Sequence, residues 1–429
     1  MTDAGRLARW AALPVAAGAL ALAALAVAHG SRPLYDGSWL LLDDTGGLFL
    51  AVSAMVGLAG VLLSPAYLRG REGAHARGSE AWYYGVLFAF WLALLAVPLC
   101  ANLALAWLII DATTASSALL VAFSGRREAL EAGWKYLILT ALGLSLALLG
   151  IIVIGIAQAL IHHHDLSALS FGALRRDADL LPHGTILAGF VLLIAGLAVK
   201  IGWAPVHNWL PDAHSEAPAP VSALLSAALL PTVTLVAWRV KDALAPALGA
   251  RTAATVFIAF GVASILIAIP FLWRTMPWKR LLAYSTLEHM GIIAVGIGFG
   301  SRLALTGVAI HVAGHAFGKA LGFYSAMPLG PDEQPTPGHP RPGLLARRRL
   351  PAIGMGISLG TLAGLPPSPL FVSELLIVLG GIATGHAAVS IVVAAALALG
   401  FLGLLHAMLE GVVGDDAPGR VLPAAEVAS

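Results

Sequence analysis

Residues 192–210 read LLIAGLAVKIGWAPVHNWL, and this stretch decides the fold class. An apolar run leads without interruption into Lys200, and Pro205 follows five residues later. A proline inside a helix frees one carbonyl and removes one donor. In hydrocarbon, such backbone is tolerated only against protein or a watery cavity. The stretch therefore reads as a membrane helix interrupted beside a buried charge. The rest of the chain agrees, with 59% hydrophobic and 11% charged residues. Soluble domains carry about 25% charged residues, so the chain lacks the charge to cover a water-facing surface.

Working outward, apolar runs long enough to cross about 30 Å of hydrocarbon recur along the chain. Twelve spans are predicted, at 10–29, 46–68, 82–99, 101–123, 134–160, 184–210, 220–240, 253–273, 281–299, 303–326, 350–380 and 385–411. The first is long and followed by many more, so it reads as a membrane helix and not a signal peptide. The sixth and eleventh carry the interior prolines, Pro205 and Pro211 in one and Pro366, Pro367 and Pro369 in the other. Of the 25 Lys and Arg residues, sixteen fall on the side of the amino terminus and seven on the other, with Lys200 and Lys319 inside spans. That asymmetry places both termini in the cytoplasm. The Pro-, Gly- and Arg-rich segment 328–349 reads as a cytoplasmic connector, and 161–182 as an outside segment with a short interfacial helix.

A net charge of +2 without a basic, aromatic-interleaved tract gives nucleic-acid binding nothing to rest on. A single cysteine, Cys100, makes no intrachain disulfide, zinc site or iron–sulfur cluster. The glycine strings GIGFG (296–300) and GMGISLG (354–360) lie in membrane helices, so they read as packing glycines and not as a dinucleotide loop. No catalytic, cofactor-binding or metal site is expected, and the triplet His162, His163, His164 reads as a solvated helix end.

The informative residues are ionisable groups where charge is expensive, each costing about 2.5–3.5 kcal/mol at a helix centre. They are Asp111, Lys200, Glu288, His289, His311, His315, Lys319 and Glu374, with His406 and Glu410 near the end of the last span. His311, His315 and Lys319 recur every four residues and form one helical stripe. Structural ion pairs, Asp111 with Lys200 and Glu374 with Lys319, would explain some of these residues. So many titratable groups exceed what packing requires, and alternating carboxylate, lysine and histidine suits proton transfer. The order of charges and breaks is the same in spans three to seven and eight to twelve, and the two blocks start on opposite sides. This predicts inverted five-helix repeats at 82–245 and 253–412, after two helices in 1–80 and before a tail at 413–429.

The stretch KIGWAPVHNWLPDAHSEAPAPVSALLS (200–226) resembles the signature of the antiporter-like proton-translocating subunits of respiratory complex I, multi-subunit sodium/proton antiporters and membrane-bound hydrogenases. LLAYSTLEHMG (281–291), HVAGHAFGKALGF (311–323) and LAGLPPSPLFVSELLI (362–377) continue the match. DATTASSALLVAF (111–123) with EALEAGWKYLIL (128–139) looks most like the F component of hydrogenase-4 and formate hydrogenlyase complexes. The resemblance covers roughly residues 45–411 and implies two inverted five-helix units, each with a broken helix. It makes Lys200 the broken-helix lysine, Asp111 its partner carboxylate, Lys319 the central lysine of the second unit and Glu374 the carboxylate at the second break. It implies no redox site on this chain, although the complex would be an oxidoreductase, with other membrane subunits and a cytoplasmic hydrogenase or dehydrogenase arm as partners. The expected place is a bacterial inner membrane, since acidic Asp3 argues against a transit peptide. A sodium/proton antiporter subunit, a bicarbonate-uptake subunit and a non-transporting structural subunit are the alternatives.

Three features depart from the family pattern. Asp111 replaces a glutamate, Ser226 replaces a histidine of some relatives with a gap for water to fill, and twelve spans replace the common fourteen. No long lateral helix is expected at the carboxyl end.

Overall fold

The structure is a computed structural model that describes residues 3–34, 37–69, 79–162, 165–330, 333–335 and 343–414. Residues 331–332 and 336–342 of the connector 328–349, with His163, His164 and the tail beyond residue 414, lie outside the described residues. The chain opens with α1 (Asp3–His29) and α2 (Asp44–Arg69), joined through an antiparallel ribbon of β1 (Arg32–Leu34) and β2 (Leu40–Leu42). That ribbon is a small departure from the all-helical expectation. α1 buries Ala8, Ala12, Ala16, Ala19, Ala23 and Ala26 on one stripe, and small side chains there let its backbone approach α2 closely.

There follow α3 (Glu80–Ala96), α4 (Leu103–Val121), α5 (Arg127–His162), α6 (Phe171–Asp177), α7 (His183–Ile201), α8 (Leu210–Glu216) and α9 (Ala219–Leu224). α6 is the short helix expected within 161–182. α9 runs through a π-helical turn, Leu225–Leu229, into α10 (Leu230–Leu248). Pro231 has no N–H to donate to a carbonyl one turn back, and the wider π turn immediately before it absorbs that mismatch. The second half of the chain holds α11 (Ala250–Leu272), α12 (Trp278–Phe299), α13 (Arg302–Ala326), α14 (Leu344–Arg347), α15 (Arg349–Leu362), α16 (Pro369–Ala383) and α17 (Ala387–Met408).

Several helix starts follow directly from the sequence. Ser79, Asn102, Ser301 and Ser368 each accept a backbone N–H of the turn they precede, which satisfies a donor the helix cannot. Ten helical stretches among the described residues are long and apolar enough to cross a membrane. α13, with 25 residues, and the pair α15–α16 account for the other two expected crossings. The protein is an all-α, multi-pass membrane protein.

The sixth and eleventh crossings are broken. α7 stops at Ile201 and helix resumes at Leu210; α15 stops at Leu362 and helix resumes at Pro369. Pro205, Pro366 and Pro367 fall in the gaps, whereas Pro211 and Pro369 sit in first turns, where a missing N–H costs nothing. Proline alone does not make a break, because Pro14, Pro65, Pro246 and Pro270 lie inside continuous helices. What distinguishes the gaps is a glycine in the left-handed region three residues before a proline. Gly202 has φ +77° ahead of Pro205, and Gly364 has φ +73° ahead of Pro367. A residue with a side chain resists that backbone, so the helix ends there.

The core centres on α12, whose most apolar 18-residue window is wholly buried. α5 and α7 meet through Gly143, Gly150, Gly189 and Gly196, where an added methyl would overlap the partner helix. One end of the bundle is marked by the ribbon and by Arg239, which donates to Asp43 at 2.8 Å and to the Cys100 carbonyl at 3.0 Å. At the opposite end α8 is ringed by ion pairs: Arg126 with Glu216 at 2.7 Å, and Asp212 with Lys135 at 3.4 Å and Arg280 at 3.3 Å.

Candidate functional site: two buried lysine clusters

Lys200 is the penultimate residue of α7, delivered to the first break by the left-handed turn at Gly202. Its side chain is fully buried. Nζ donates to Thr114 Oγ1 of α4 at 2.8 Å and to the Tyr136 hydroxyl of α5 at 2.6 Å. The Tyr136 hydroxyl also lies 2.7 Å from Ser117 Oγ, which extends the chain of hydroxyls along α4. Asp111 sits one turn before Thr114, half-buried, within electrostatic reach of Lys200. The Asp111–Lys200 ion pair of the structural alternative does not form within 4.0 Å. The aspartate is one methylene shorter than glutamate, and the hydroxyls of Thr114 and Tyr136 take the ammonium instead.

The second cluster gathers α12, α13 and α16. Lys319 is fully buried, and its Nζ donates to the Leu282 carbonyl at 2.7 Å and to Ser285 Oγ. The Glu374–Lys319 ion pair of the structural alternative is likewise absent within 4.0 Å, and the carboxylate acting electrostatically on Lys319 is that of Glu288. Glu288 and His289 lie at the middle of α12, which begins at Trp278. The Glu288 carboxylate packs against Gly400 of α17, where no side chain would fit.

The histidines connect across helices. His289 Nδ1 lies 3.0 Å from His311 Nε2, and His311 Nδ1 lies 2.8 Å from Ser373 Oγ of α16. His289 and His315 have ring centroids 5.3 Å apart. Glu374 follows Ser373 and folds back over the second break, where a Cβ on Gly364 would stand 2.8 Å from its Oε2. Between the clusters, Ser226 Oγ lies 2.7 Å from Thr286 Oγ1. The position expected to need water is thus closed by a direct hydroxyl contact onto α12.

One ligand atom each of His289, His311 and Glu374 lies within 4.8 Å of the others, compact enough for a divalent cation. The His289–His311 hydrogen bond already uses that pair, which makes it equally a proton-sharing contact. His162 instead pairs with Asp177 at 2.8 Å. His406 and Glu410 form a pair at 3.3 Å, with His406 53% exposed and stacked near Trp273, apart from both clusters.

Sequence reading missed Tyr136, Ser285, Thr286, Lys279 and His214. For Tyr136 a signal existed: a tyrosine deep in an apolar run needs a partner for its hydroxyl. The others depend on which helices meet. Lys279, placed in a loop by its sequence neighbours, lies in the first turn of α12 and donates to the Ser215 carbonyl at 2.8 Å and to the Ala217 carbonyl.

With these two clusters in place, comparison with known proteins is decisive. The family described as NADH:quinone oxidoreductase/Mrp antiporter, TM, matches residues 100–400. The chain belongs to this family. The matched NADH:quinone oxidoreductase/Mrp antiporter region takes in both lysines, both breaks and Glu374, and leaves α1, α2 and α3 outside. Among curated relatives, the hydrogenase-4 component F homolog of Methylacidiphilum infernorum is 32% identical over 398 residues, 90% of this chain and 82% of that protein. NADH-quinone oxidoreductase subunit N of Desulforudis audaxviator is 28% identical over 87% of this chain and 74% of its own length. Two solved structures share the fold. They are the Mrp complex of Dietzia sp. (TM-score 0.83, 19% identity, 96% of this chain and 77% of that one) and an archaeal membrane-bound sulfane sulfur reductase (0.86, 21%, 99% and 86%).

Proposed function

We propose that this chain is a proton-translocating membrane subunit of a hydrogenase-4-like, complex I-related redox-driven complex. The observation that carries the reading is the coordination of the two lysines. Each fully buried ammonium contacts neutral oxygens, Thr114 and Tyr136 for Lys200, Leu282 and Ser285 for Lys319. A lysine locked to a carboxylate is a structural strut, and removing its proton strands a buried charge. A lysine held by hydroxyls and a carbonyl gains or loses a proton without breaking an ion pair. This arrangement argues against the structural-subunit reading.

In the proposed route Asp111, Lys200, Glu288, His289, His311, His315, Lys319 and Glu374 are the transfer groups. Lys200 exchanges protons beside the first break, and the hydroxyls of Ser226 and Thr286 lie between the two units. Lys319 exchanges with the histidine stripe, and Glu374 opens onto the second break. The two five-helix units, 82–245 and 253–412, are read as inverted repeats whose broken helices supply polar backbone at depth in the membrane. Both termini would face the cytoplasm of a bacterial inner membrane, with other membrane subunits alongside and a cytoplasmic hydrogenase or dehydrogenase arm as the driving partner.

The test is ion specificity. The intact complex in proteoliposomes is expected to acidify or alkalinise the lumen at sodium-free conditions, with no dependence on added sodium. A flux that requires sodium and carries radiolabelled sodium would replace this reading by that of a sodium/proton antiporter subunit.

A further inference from the structure

His214 belongs to neither cluster, yet its surroundings single it out. It lies on α8, the short second half of the broken sixth crossing, and it is fully buried. Neither ring nitrogen has a hydrogen-bond partner among the described residues. A buried polar group left this way is uncommon and calls for an explanation. The imidazole stacks on Phe323 of α13, with centroids 5.5 Å apart and planes 25° from parallel. Phe323 stands one turn beyond Lys319, so His311, His315, Lys319 and Phe323 follow one another every four residues on one face. His214 covers the last member of that stripe.

The charged groups facing His214 are Lys319 from α13 and Lys279 from α12, and His315 is the other titratable group within electrostatic reach. Its backbone is pinned while its ring nitrogens are not. Ser222 Oγ donates to the His214 carbonyl at 2.8 Å, and Lys279 Nζ donates to the carbonyls of Ser215 and Ala217. On the same short helix, Asp212 and Glu216 reach the charged end of the bundle, their side chains 28% and 23% exposed. One helix therefore carries a buried imidazole at the end of the lysine stripe and two carboxylates at the aqueous edge.

We propose that His214 is a proton-relay residue connecting Lys319 with the charged end of the bundle around α8. The inference rests on the reading of this chain as a proton conductor. It also gives the first broken helix a direct part in the second unit: α7 carries Lys200 in its last turn, and α8 presents His214 to α13.

The test compares membrane-potential-driven proton uptake by the intact complex in proteoliposomes for wild type, His214→Gln and Lys200→Ala, at matched assembly. His214→Gln is expected to lower uptake about a hundredfold, the low end for losing a positioned proton-transfer group, and to remove an inflection from the pH profile of uptake. If His214→Gln does not assemble, His214→Asn, which removes the imidazole without added bulk, takes its place. Loss of uptake in Lys200→Ala with wild-type uptake in the His214 variant overturns the relay. Lowered uptake with an unchanged pH profile also overturns it, because a packing role alters amplitude only. Undiminished uptake in Lys200→Ala would overturn the proton-conducting reading itself.

Discussion

The ammonium of Lys200 donates to the Tyr136 hydroxyl at 2.6 Å, and its Nζ lies 4.7 Å from the centre of the same ring. One tyrosine thus supplies both a hydrogen bond and a π face to a fully buried cation. Neutral contacts of this kind stabilise the ammonium modestly and leave its proton exchangeable, in contrast to an ion pair. Tyr136→Phe keeps the ring and removes the hydroxyl. It is expected to cost about 1 kcal/mol of stability and to slow proton uptake several-fold while the complex still assembles. Uptake indistinguishable from wild type in proteoliposomes would show that the hydroxyl takes no part in transfer.

Gly364 makes a second prediction. Its φ of +73° disfavours any side chain, and a Cβ would stand 2.8 Å from the Glu374 carboxylate. Gly364→Ala should cost about 1–2 kcal/mol from backbone conformation alone, and should displace Glu374 and reduce uptake. Gly85→Ala, in α3 with open space around it, should leave thermal stability in detergent unchanged or slightly raised. Equal behaviour of the two variants would contradict the account of the second break.

The ion pairs at α8 lead to a smaller expected effect. Asp212 pairs with Lys135 and Arg280, whose side chains are 48% and 43% exposed. Exposed pairs are worth about 0–1 kcal/mol each. Asp212→Asn should therefore lower stability by at most about 2 kcal/mol for the two pairs together, with the difference from wild type shrinking as salt is raised. A loss several times larger, insensitive to salt, would mean that these pairs hold α8 in place.

The architecture was legible because its signals are local. Apolar runs of membrane length gave the crossings, and Pro205 and Pro366–Pro367 marked the two gaps. Lys200, Lys319, Glu288 and Glu374 stood out because charge within apolar sequence is costly. What each charge touches was not legible. Asp111 and Lys200 are 89 residues apart in sequence, and only the packing of α4, α5 and α7 shows Thr114 and Tyr136 standing at the ammonium in place of the aspartate. His214 was hidden for the same reason, since a histidine in PDAHSEAP reads as a polar loop residue until α8 is seen against α13. The many continuous helices with interior prolines, α1 and α2 among them, show why proline counts overstate breaks: the left-handed glycines complete the signal.

The most direct test of the central claim is proton uptake by the intact complex in proteoliposomes, wild type against Lys200→Ala at equal assembly. Removing the ammonium leaves Thr114 and Tyr136 bonded to nothing charged and takes away no ion pair, so the complex should still assemble. The account predicts that assembly survives and uptake collapses. Assembly that survives with uptake unchanged would contradict it and make this chain a structural subunit.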